Sequence, residues 1–286
     1  MRNVLRYLGY ILVVLAALGL AAGELVALAI GLDLRITRDQ GVRLTVLDVP
    51  ARESPAPARG MAVVADRRTG RPIGLVRLVF RFDDGWTELG WVNTQGVARC
   101  TRRGGLAAGR HWFEVYWPEE QPLLDVRARG TIWVLPERAP VVWVDAAAVL
   151  PRAEDAAPPA EALSALNALA KRCSLVYLVL GDADHYARAR HRLDAPATAD
   201  QAAGAPIWVD PQAAPWGLNM LREAWPEVAG ALVATPELKA SVAAAKIRTL
   251  AVPPADGSPG AAEAARPWRA AVAELGTAEP VSDGEK

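Results

Sequence analysis

The chain has 286 residues, of which 52% are hydrophobic and 22% charged, with 32 basic and 32 acidic side chains and only two cysteines. This composition excludes an intrinsically disordered protein and a small disulfide-stapled domain, and the length leaves room for more than one core. A net charge of zero without any local block of Lys and Arg argues against a nucleic-acid partner.

The first 32 residues differ in composition from the rest of the chain. Between Arg6 and Asp33 the only charged residue is Glu24, in a stretch rich in Leu, Ala, Val and Gly. Because a helix needs roughly 20 apolar residues to cross a bilayer, residues 7–32 are predicted as a transmembrane anchor. The alternative is a cleaved secretory signal that ends near Ala27–Ala29. Both interpretations place residues 33–286 on the exported side. The anchor would make the membrane a partner through residues 7–32 and would cross it once.

Residues 33–138 are predicted to form an all-β sandwich. Short alternating runs such as Val42–Val46 and His111–Trp117 are separated by turn residues, for example at Asp83–Gly85 and Thr94–Gly96. About seven strands at this spacing are typical of a β-sandwich.

Two stretches of this region resemble bacterial Ig-like domains of the invasin type. Val64–Ile73 is similar to a hairpin of that family and the strand after it, and Thr94–Ala98 with Ala108–His111 is similar to a later turn and the start of the final strand. The resemblance implies a spacer or adhesive module without catalysis. Four tryptophans are expected to fill the core, with a sugar-binding platform as the alternative: Trp86, Trp91, Trp112 and Trp117.

After Pro136 apolar runs alternate with amphipathic helical patterns. The runs predicted as strands are Val141–Val144, Leu175–Leu180, Ile207–Val209, Ala231–Ala234 and Thr249–Val252. This alternation predicts an α/β domain over residues 139–275, built on a doubly wound parallel sheet of the Rossmann-like kind with both faces covered. Residues 276–286 are predicted as a disordered tail.

The α/β region resembles the haloacid dehalogenase-like superfamily, in particular its phosphatidate-phosphatase branch. The similarity lies in Asp145 at the end of the first strand, the long crossover from Pro151 to Pro159, and the apolar run Leu175–Leu180. It implies that Asp145 is the nucleophile of an aspartyl-phosphate reaction. The family's second Asp is replaced by Ala147, which cannot carry a proton.

Two functions follow from this resemblance. The favoured one is an envelope protein with a catalytically degenerate domain, which binds an envelope protein or a lipid, or serves a structural role, without a cofactor. The alternative is a Mg²⁺-dependent phosphohydrolase that acts on a lipid or a small phosphoester. Its proton donor and phosphate ligands would come from Asp182, Asp184 and Lys246, and its metal ligands would be Asp145 and Asp256.

Three further patterns complete the predictions. Asp182–His185 is interpreted as the cap of a helix, with a divalent-metal site as the alternative. A Ser-His-Asp hydrolase fits the sequence poorly, because the Gly-x-Ser-x-Gly motif is missing. The two cysteines are predicted as free thiols, with Cys173 more buried than Cys100.

Overall fold

The computed structural model describes residues 41–53, 58–118, 126–136, 140–153, 156–194, 204–209, 228–257 and 265–276, together with Leu218, Leu221, Arg222, Ala224 and Trp225. A β-rich part comes first and an α/β part follows. All statements about the structure below concern these residues.

The β-rich part contains two sheets. Its strands are β1 (Val42–Leu47), β2 (Val49–Arg52), β3 (Ala58–Asp66), β4 (Arg77–Phe82), β5 (Thr87–Trp91), β6 (Val97–Arg102), β7 (Gly109–Tyr116) and β8 (Arg127–Leu135). One sheet has the order β1-β3-β6 and the other the order β2-β8-β7-β4-β5. Every pairing within them is antiparallel except that of β2 with β8, which is parallel.

The core of the β-rich part follows the two-residue period of its strands. Leu78, Phe80 and Phe82 of β4 are buried, and the rings of Phe80 and Phe82 stack on that of Phe113 from β7. Gly130 on β8 leaves room for this aromatic cluster, since a Cβ there would lie 2.6 Å from the Phe113 ring.

The prediction of an all-β Ig-like sandwich is wrong in its sheet organisation. The structure has eight strands instead of about seven, and one of its two sheets is mixed. The cause is a switch of sheets at Asp48, where β1 ends in the first sheet and β2 begins in the second. Alternation indicates a strand but not the partner of that strand, so the sequence carried no signal for the parallel pair.

The α/β part is built on a five-stranded parallel sheet. Its strands are β9 (Val141–Asp145), β10 (Ser174–Leu180), β11 (Gly204–Val209), β12 (Val228–Val233) and β13 (Thr249–Ala251). They lie in the order β11-β10-β9-β12-β13, with every pairing parallel. β9 is therefore the central strand, and all five of its residues are buried, as expected for a strand covered on both faces.

Helices cover both faces of this sheet. The described helices are α1 (Ala160–Ala170), α2 (Ala183–Asp194), α3 (Pro236–Ala244) and α4 (Trp268–Gly276), and a 3₁₀ turn at Ala146–Ala148 follows β9 directly. Val142 and Val144 share a cluster with side chains of α1 and α4. Trp143 points to the opposite face and shares a cluster with side chains of α3.

The β-rich part and the α/β part share buried contacts. Trp133 of β8 belongs to the same cluster as Trp143 and Val176 of the parallel sheet. The Tyr186 hydroxyl of α2 accepts a hydrogen bond from the backbone N–H of Asp48 at 2.9 Å. The predicted boundary between residues 138 and 139 stays a prediction, but the two sides of it are packed against each other.

The transmembrane helix of the predicted fold class finds no support. Residues 1–40 lie outside the described residues, and no helix within the described ranges is long and apolar enough to cross a membrane. The longest of these, α2, has 12 residues, which span about 18 Å of the roughly 30 Å needed. Residues 277–286, predicted as a disordered tail, also lie outside the described residues.

Both cysteines are free thiols, but their order of burial is the reverse of the predicted one. Cys100 is buried on β6 in the β-rich core, whereas Cys173 is partly exposed between α1 and β10. Burial raises the pKa of Cys100 to about 12. The prediction that Cys173 is the more buried is wrong, because the loop position after α1 leaves it at the rim of the core.

Candidate functional site

Asp145 lies at the carboxyl end of the central strand, where ligands bind in open α/β sheets. The 3₁₀ turn that follows β9 begins at Ala146, and Asp145 caps it by accepting a hydrogen bond from the Ala147 N–H at 3.0 Å. The residue is only 2% exposed. The carboxylate is therefore buried, although it lies at the end of the sheet where ligands bind in other α/β proteins.

The second oxygen of Asp145 receives three hydrogen bonds from the segment after β12. The donors are the N–H of Ala234 at 3.1 Å, the N–H of Thr235 at 2.9 Å and the Thr235 hydroxyl at 2.7 Å. With the Ala147 bond, the carboxylate accepts four hydrogen bonds, one on Oδ1 and three on Oδ2. Asp145 thus joins the ends of β9 and β12, which are neighbours in the sheet.

Two opposing effects act on the ionisation of Asp145. Burial raises the pKa of its carboxyl group, and this effect is larger than that of the hydrogen bonds from Thr235, Ala147 and Ala234, which lower it. The four hydrogen-bond donors to this carboxylate are all neutral groups. A nucleophile facing a phosphoryl dianion requires charge compensation, and these surroundings supply only neutral donors.

The other residues predicted for the phosphohydrolase have structural contacts of their own. Asp182 caps α2, since its side chain accepts the His185 N–H at 2.7 Å, and Asp184 forms an ion pair with Arg43 of β1. Asp256 pairs with Arg152 at 2.9 Å.

Lys246 is exposed and lies after α3, before the amino end of β13. The strands of a parallel sheet all run in one direction, so their amino ends lie on one side of the sheet and their carboxyl ends on the opposite side. Lys246 is therefore on the side of the sheet away from Asp145. The residue adopts a left-handed backbone conformation with a φ of 58°. The loop of Asp256 is brought beside the Asp145 turn, because the Ala255 N–H donates to Ala147 O at 2.9 Å.

The structure brings no metal-binding group together at these positions. Within the described ranges, no three His, Cys, Asp or Glu side chains are placed so that they hold a metal ion. The hydrogen bond from the His185 N–H supports the prediction that Asp182 caps the helix. His185 and His191 are both exposed on α2.

A pocket of about 360 Å³ opens beside the Asp145 turn. Its walls are the turn and the loop that follows it on one side and α2 on the other. The polar side chains that line it are Arg152, His185, Arg188 and Arg192. The sequence analysis did not identify this site, although Arg188 and Arg192 are four residues apart on one helix and thus lie on the same face.

A second polar site was also missed, at the contact between the two parts. Asp48 is 3% exposed and pairs with Arg190 of α2, whose Nη2 lies 3.0 Å from Oδ1 and whose Nε lies 3.1 Å from Oδ2. The N–H of Thr131 donates to the same carboxylate at 2.8 Å. Burial raises the pKa of Asp48 to about 6 against the lowering effect of Arg190. A single acid between Leu47 and Val49 was the only sequence signal for this site.

The four predicted core tryptophans fall into two groups. Trp117 is buried and Trp86 packs against the core of the β-rich part. Trp91 is 64% exposed, with the guanidinium of Arg77 5.6 Å from its ring centroid, and Trp112 lies under Arg129 at 4.5 Å. The core prediction therefore holds for the first two and is wrong for Trp91.

Comparisons with known proteins give no family for this chain. No family model matches it, and no curated protein matches it. Among the solved structures that match is a carbohydrate acetylesterase from Xanthomonas citri, at 12% identity and a TM-score of 0.29. That alignment covers 74% of this chain and 60% of the other. A TM-score this low supports no inference about fold or function.

Both family resemblances are therefore corrected. Neither an invasin-type Ig-like nor a haloacid dehalogenase-like model matches the chain. The resemblances rested on turn residues and on the order of strands and helices, which unrelated α/β and β proteins share. The hydrogen bonds of Asp145 also give it a structural role, the connection between the ends of β9 and β12, which does not depend on a relationship to phosphatases.

Proposed function

We propose that this chain is a non-catalytic protein with a binding or structural role, in which Asp145 stabilises the fold. The observation that carries the proposal is the burial of the Asp145 carboxylate, which is 2% exposed and accepts four hydrogen bonds. A nucleophile must present a lone pair to its substrate. Oδ2 of Asp145 accepts three hydrogen bonds from Ala234 and Thr235, Oδ1 accepts one from Ala147, and burial separates both oxygens from a substrate.

The surroundings of Asp145 support the same conclusion. The residue two positions on is Ala147, and its backbone N–H, rather than a side chain, contacts the carboxylate. Asp182 and Asp184 are held by a helix cap and by Arg43. Both acids predicted as proton donors thus have structural contacts of their own.

The test is a panel of phosphoesters, incubated with the full chain in the presence of Mg²⁺. We expect no turnover above that of a buffer control, and no difference between the wild type and Asp145→Asn. Turnover by the wild type that is lost in Asp145→Asn, with the variant still folded by circular dichroism, would refute the proposal. The predicted location at the cell envelope depended on residues 7–32, outside the described part, and stays a prediction.

A further inference from the structure

Three large apolar side chains are exposed in the described ranges, and all three lie at one edge of the β-rich part. Leu89 and Trp91 of β5 are 53% and 64% exposed, and Leu75, just before β4, is 56% exposed. The Leu75 N–H donates to Val92 O at 2.9 Å, which holds it beside the end of β5. Its backbone is left-handed, with a φ of 60°, a strained conformation that is concentrated at functional sites. Exposed apolar side chains that cluster in this way are typical of a binding surface.

This edge continues into the surface of the sheet β2-β8-β7-β4-β5 that points away from the β-rich core. On β4 the outward side chains alternate with the buried Leu78, Phe80 and Phe82. On β5, Leu89 and Trp91 lie opposite two of those outward side chains in the register. We call this surface the outer face, and its principal residues are Arg77, Val79, Arg81, Leu89, Trp91 and Arg129.

Two arginines of the outer face lie over aromatic rings. The guanidinium of Arg77 is 5.6 Å from the centroid of the Trp91 ring, and that of Arg129 is 4.5 Å from the centroid of the Trp112 ring. A guanidinium stacked in this way is attracted to the ring and keeps the N–H donors along its edge for a carboxylate. Because the stack fixes the plane of the group, less conformational entropy is lost when a partner binds.

The charges on the outer face are unequal. Within the part of the chain that the structure describes, Arg77, Arg81 and Arg129 form no ion pair, and the acid on this face is Glu114, opposite Arg81 on one side and Arg129 on the other. The two acids of the turn after β4 are engaged by other side chains, namely Asp83 by His111 and Asp84 by Arg102. Three arginines with one glutamate complement an acidic partner.

We propose that the outer face binds an extended, acidic segment of a partner protein in which acidic and apolar side chains alternate along one side. β4 presents Arg77, Val79 and Arg81 in that order, and the two arginines are about 14 Å apart along the strand. A segment with the order acid, apolar, acid at the same spacing complements β4, and its carboxylates would form charge-assisted hydrogen bonds. The proposal rests on the proposed binding role and names the partner of that role.

The other end of the same sheet surface is already covered by protein. Thr131 and Trp133 of β8 are buried, and Trp133 packs against Trp143 of the α/β part. The uncovered end combines Trp with Arg, the residue types that contribute most to protein–protein contacts. A second copy of this chain is a poor occupant, because two surfaces with an excess of arginines repel each other.

Isothermal titration of the full-length protein with three synthetic peptides tests the proposal. The first peptide repeats Glu-Ser-Leu-Ser three times, which places Glu and Leu on one side of an extended chain. The second has Lys in place of each Glu, and the third has Ser in place of each Leu. We expect saturable binding of the first peptide, binding about tenfold or more weaker for the third, and no binding of the second.

Arg81→Glu and Trp91→Ala are the informative variants, because both side chains are exposed and neither fills the core. Each is expected to weaken binding of the first peptide about tenfold or more, by charge repulsion in one case and by loss of an apolar contact in the other. Arg59→Glu is the matched control, since Arg59 is an exposed strand arginine on β3 of the other sheet, and it should bind as the wild type does. Circular dichroism establishes that each variant is folded.

The proposal is overturned if the first peptide does not bind saturably, or if the Lys peptide or the peptide without Leu binds as tightly. Unchanged binding by folded Arg81→Glu and Trp91→Ala would also overturn it, as would equal weakening by Arg59→Glu, since the attraction would then be non-specific.

Two further measurements assign the outer face to another occupant if the proposal is wrong. Polygalacturonate or phosphatidylglycerol vesicles that bind more tightly than the first peptide, and lose binding in Arg81→Glu, would replace the partner protein by a glycan or a membrane. A dimer seen by sedimentation and lost in Trp91→Ala would assign the face to a second copy. None of these results depends on turnover, so a failure of the proposed function is recognised separately, by activity in the phosphoester panel.

Discussion

A buried carboxylate with neutral donors is the feature on which the account of this protein depends. Asp145 was found from its position at the end of an apolar run, and the structure places it at the end of the central strand as that position implies. Its partners were not predictable, because Ala234 and Thr235 are about 90 residues away and follow a strand whose place in the sheet the sequence leaves open. A helix-capping role for Asp145 was thus predictable, and it is present at the 3₁₀ turn, whereas the hydrogen bonds that join β9 to β12 were not.

The Thr235 hydroxyl provides the shortest of the four hydrogen bonds to Asp145, at 2.7 Å. Thr235→Val retains the shape of the side chain but removes this donor. We expect the free energy of unfolding to fall by about 1–2 kcal/mol, the usual cost when a buried acceptor loses one partner. Urea denaturation followed by tryptophan fluorescence measures it.

Thr87→Val is the matched control, because Thr87 is exposed on β5. It should change the free energy of unfolding by less than about 0.5 kcal/mol. A Thr235→Val protein as stable as the control would show that the Asp145 hydrogen bonds contribute little to the fold.

At the scale of elements, α2 is the piece that connects the two parts of the chain. Its amino-terminal half pairs with β1 through Asp184 and Arg43, and its Arg190 also donates to the carbonyl of Arg129 on β8 at 2.8 Å. The pattern of Tyr186–Leu193 in the sequence predicts a helix, and its arginines 188, 190 and 192 predict a solvated basic face. The helix is present at Ala183–Asp194. The predicted basic face is only partly correct, because Arg190 and Arg192 are half-buried in contacts with other elements.

Arg190→Gln should destabilise the protein strongly at neutral and alkaline pH. The side chain of Asp48 is fully buried, and without Arg190 its charge has no cation beside it. Removing one partner of a buried pair costs about 3–5 kcal/mol. The measurement is the free energy of unfolding at pH 8. The double variant Asp48→Asn with Arg190→Gln should recover part of the stability that Arg190→Gln alone loses.

Arg188→Gln serves as the control on the same helix, because its side chain is exposed. If Arg190→Gln and Arg188→Gln lower the free energy of unfolding by the same amount, then any charge change on α2 destabilises the protein. The specific role of the pair with Asp48 would then be refuted.

The ionisation of Asp48 predicts how stability depends on pH. Its pKa is raised to about 6 by burial, with Arg190 opposing and the charge of Asp194 adding to the rise, whereas the unfolded chain has its ordinary value near 3.8. A raised pKa stabilises the folded state fully below about pH 3.8, and this contribution is lost as the pH rises through 6. The loss amounts to about 3 kcal/mol for this group.

Asp48→Asn should remove this dependence. Unfolding free energies measured between pH 4 and pH 7 are expected to fall more steeply in the wild type than in the variant. Parallel profiles for the two proteins would contradict a raised pKa at Asp48.

At the scale of the whole molecule, the strands were predictable and their assembly was not. The five apolar runs after Pro136 coincide with β9–β13, because strands covered on both faces consist of continuous apolar residues. The transfer of the chain from one sheet to another at Asp48 and the packing of Trp133 against Trp143 depend on contacts between distant residues. Local patterns carry no such information, and for the same reason the arginines of the pocket became recognisable as one site only in three dimensions.

The free energy of unfolding of Asp145→Asn tests the central claim most directly, since the claim is that this carboxylate stabilises the fold and does not react. The variant keeps the size of the side chain, but its amide must direct an N–H₂ group at one of the four donors. The account predicts a loss of about 1–3 kcal/mol relative to the wild type, against less than about 0.5 kcal/mol for the exposed control Glu237→Gln. An Asp145→Asn variant of unchanged or increased stability would contradict the account. Removing a buried charge that serves a reaction relieves strain, whereas removing a buried charge that stabilises the fold lowers the free energy of unfolding.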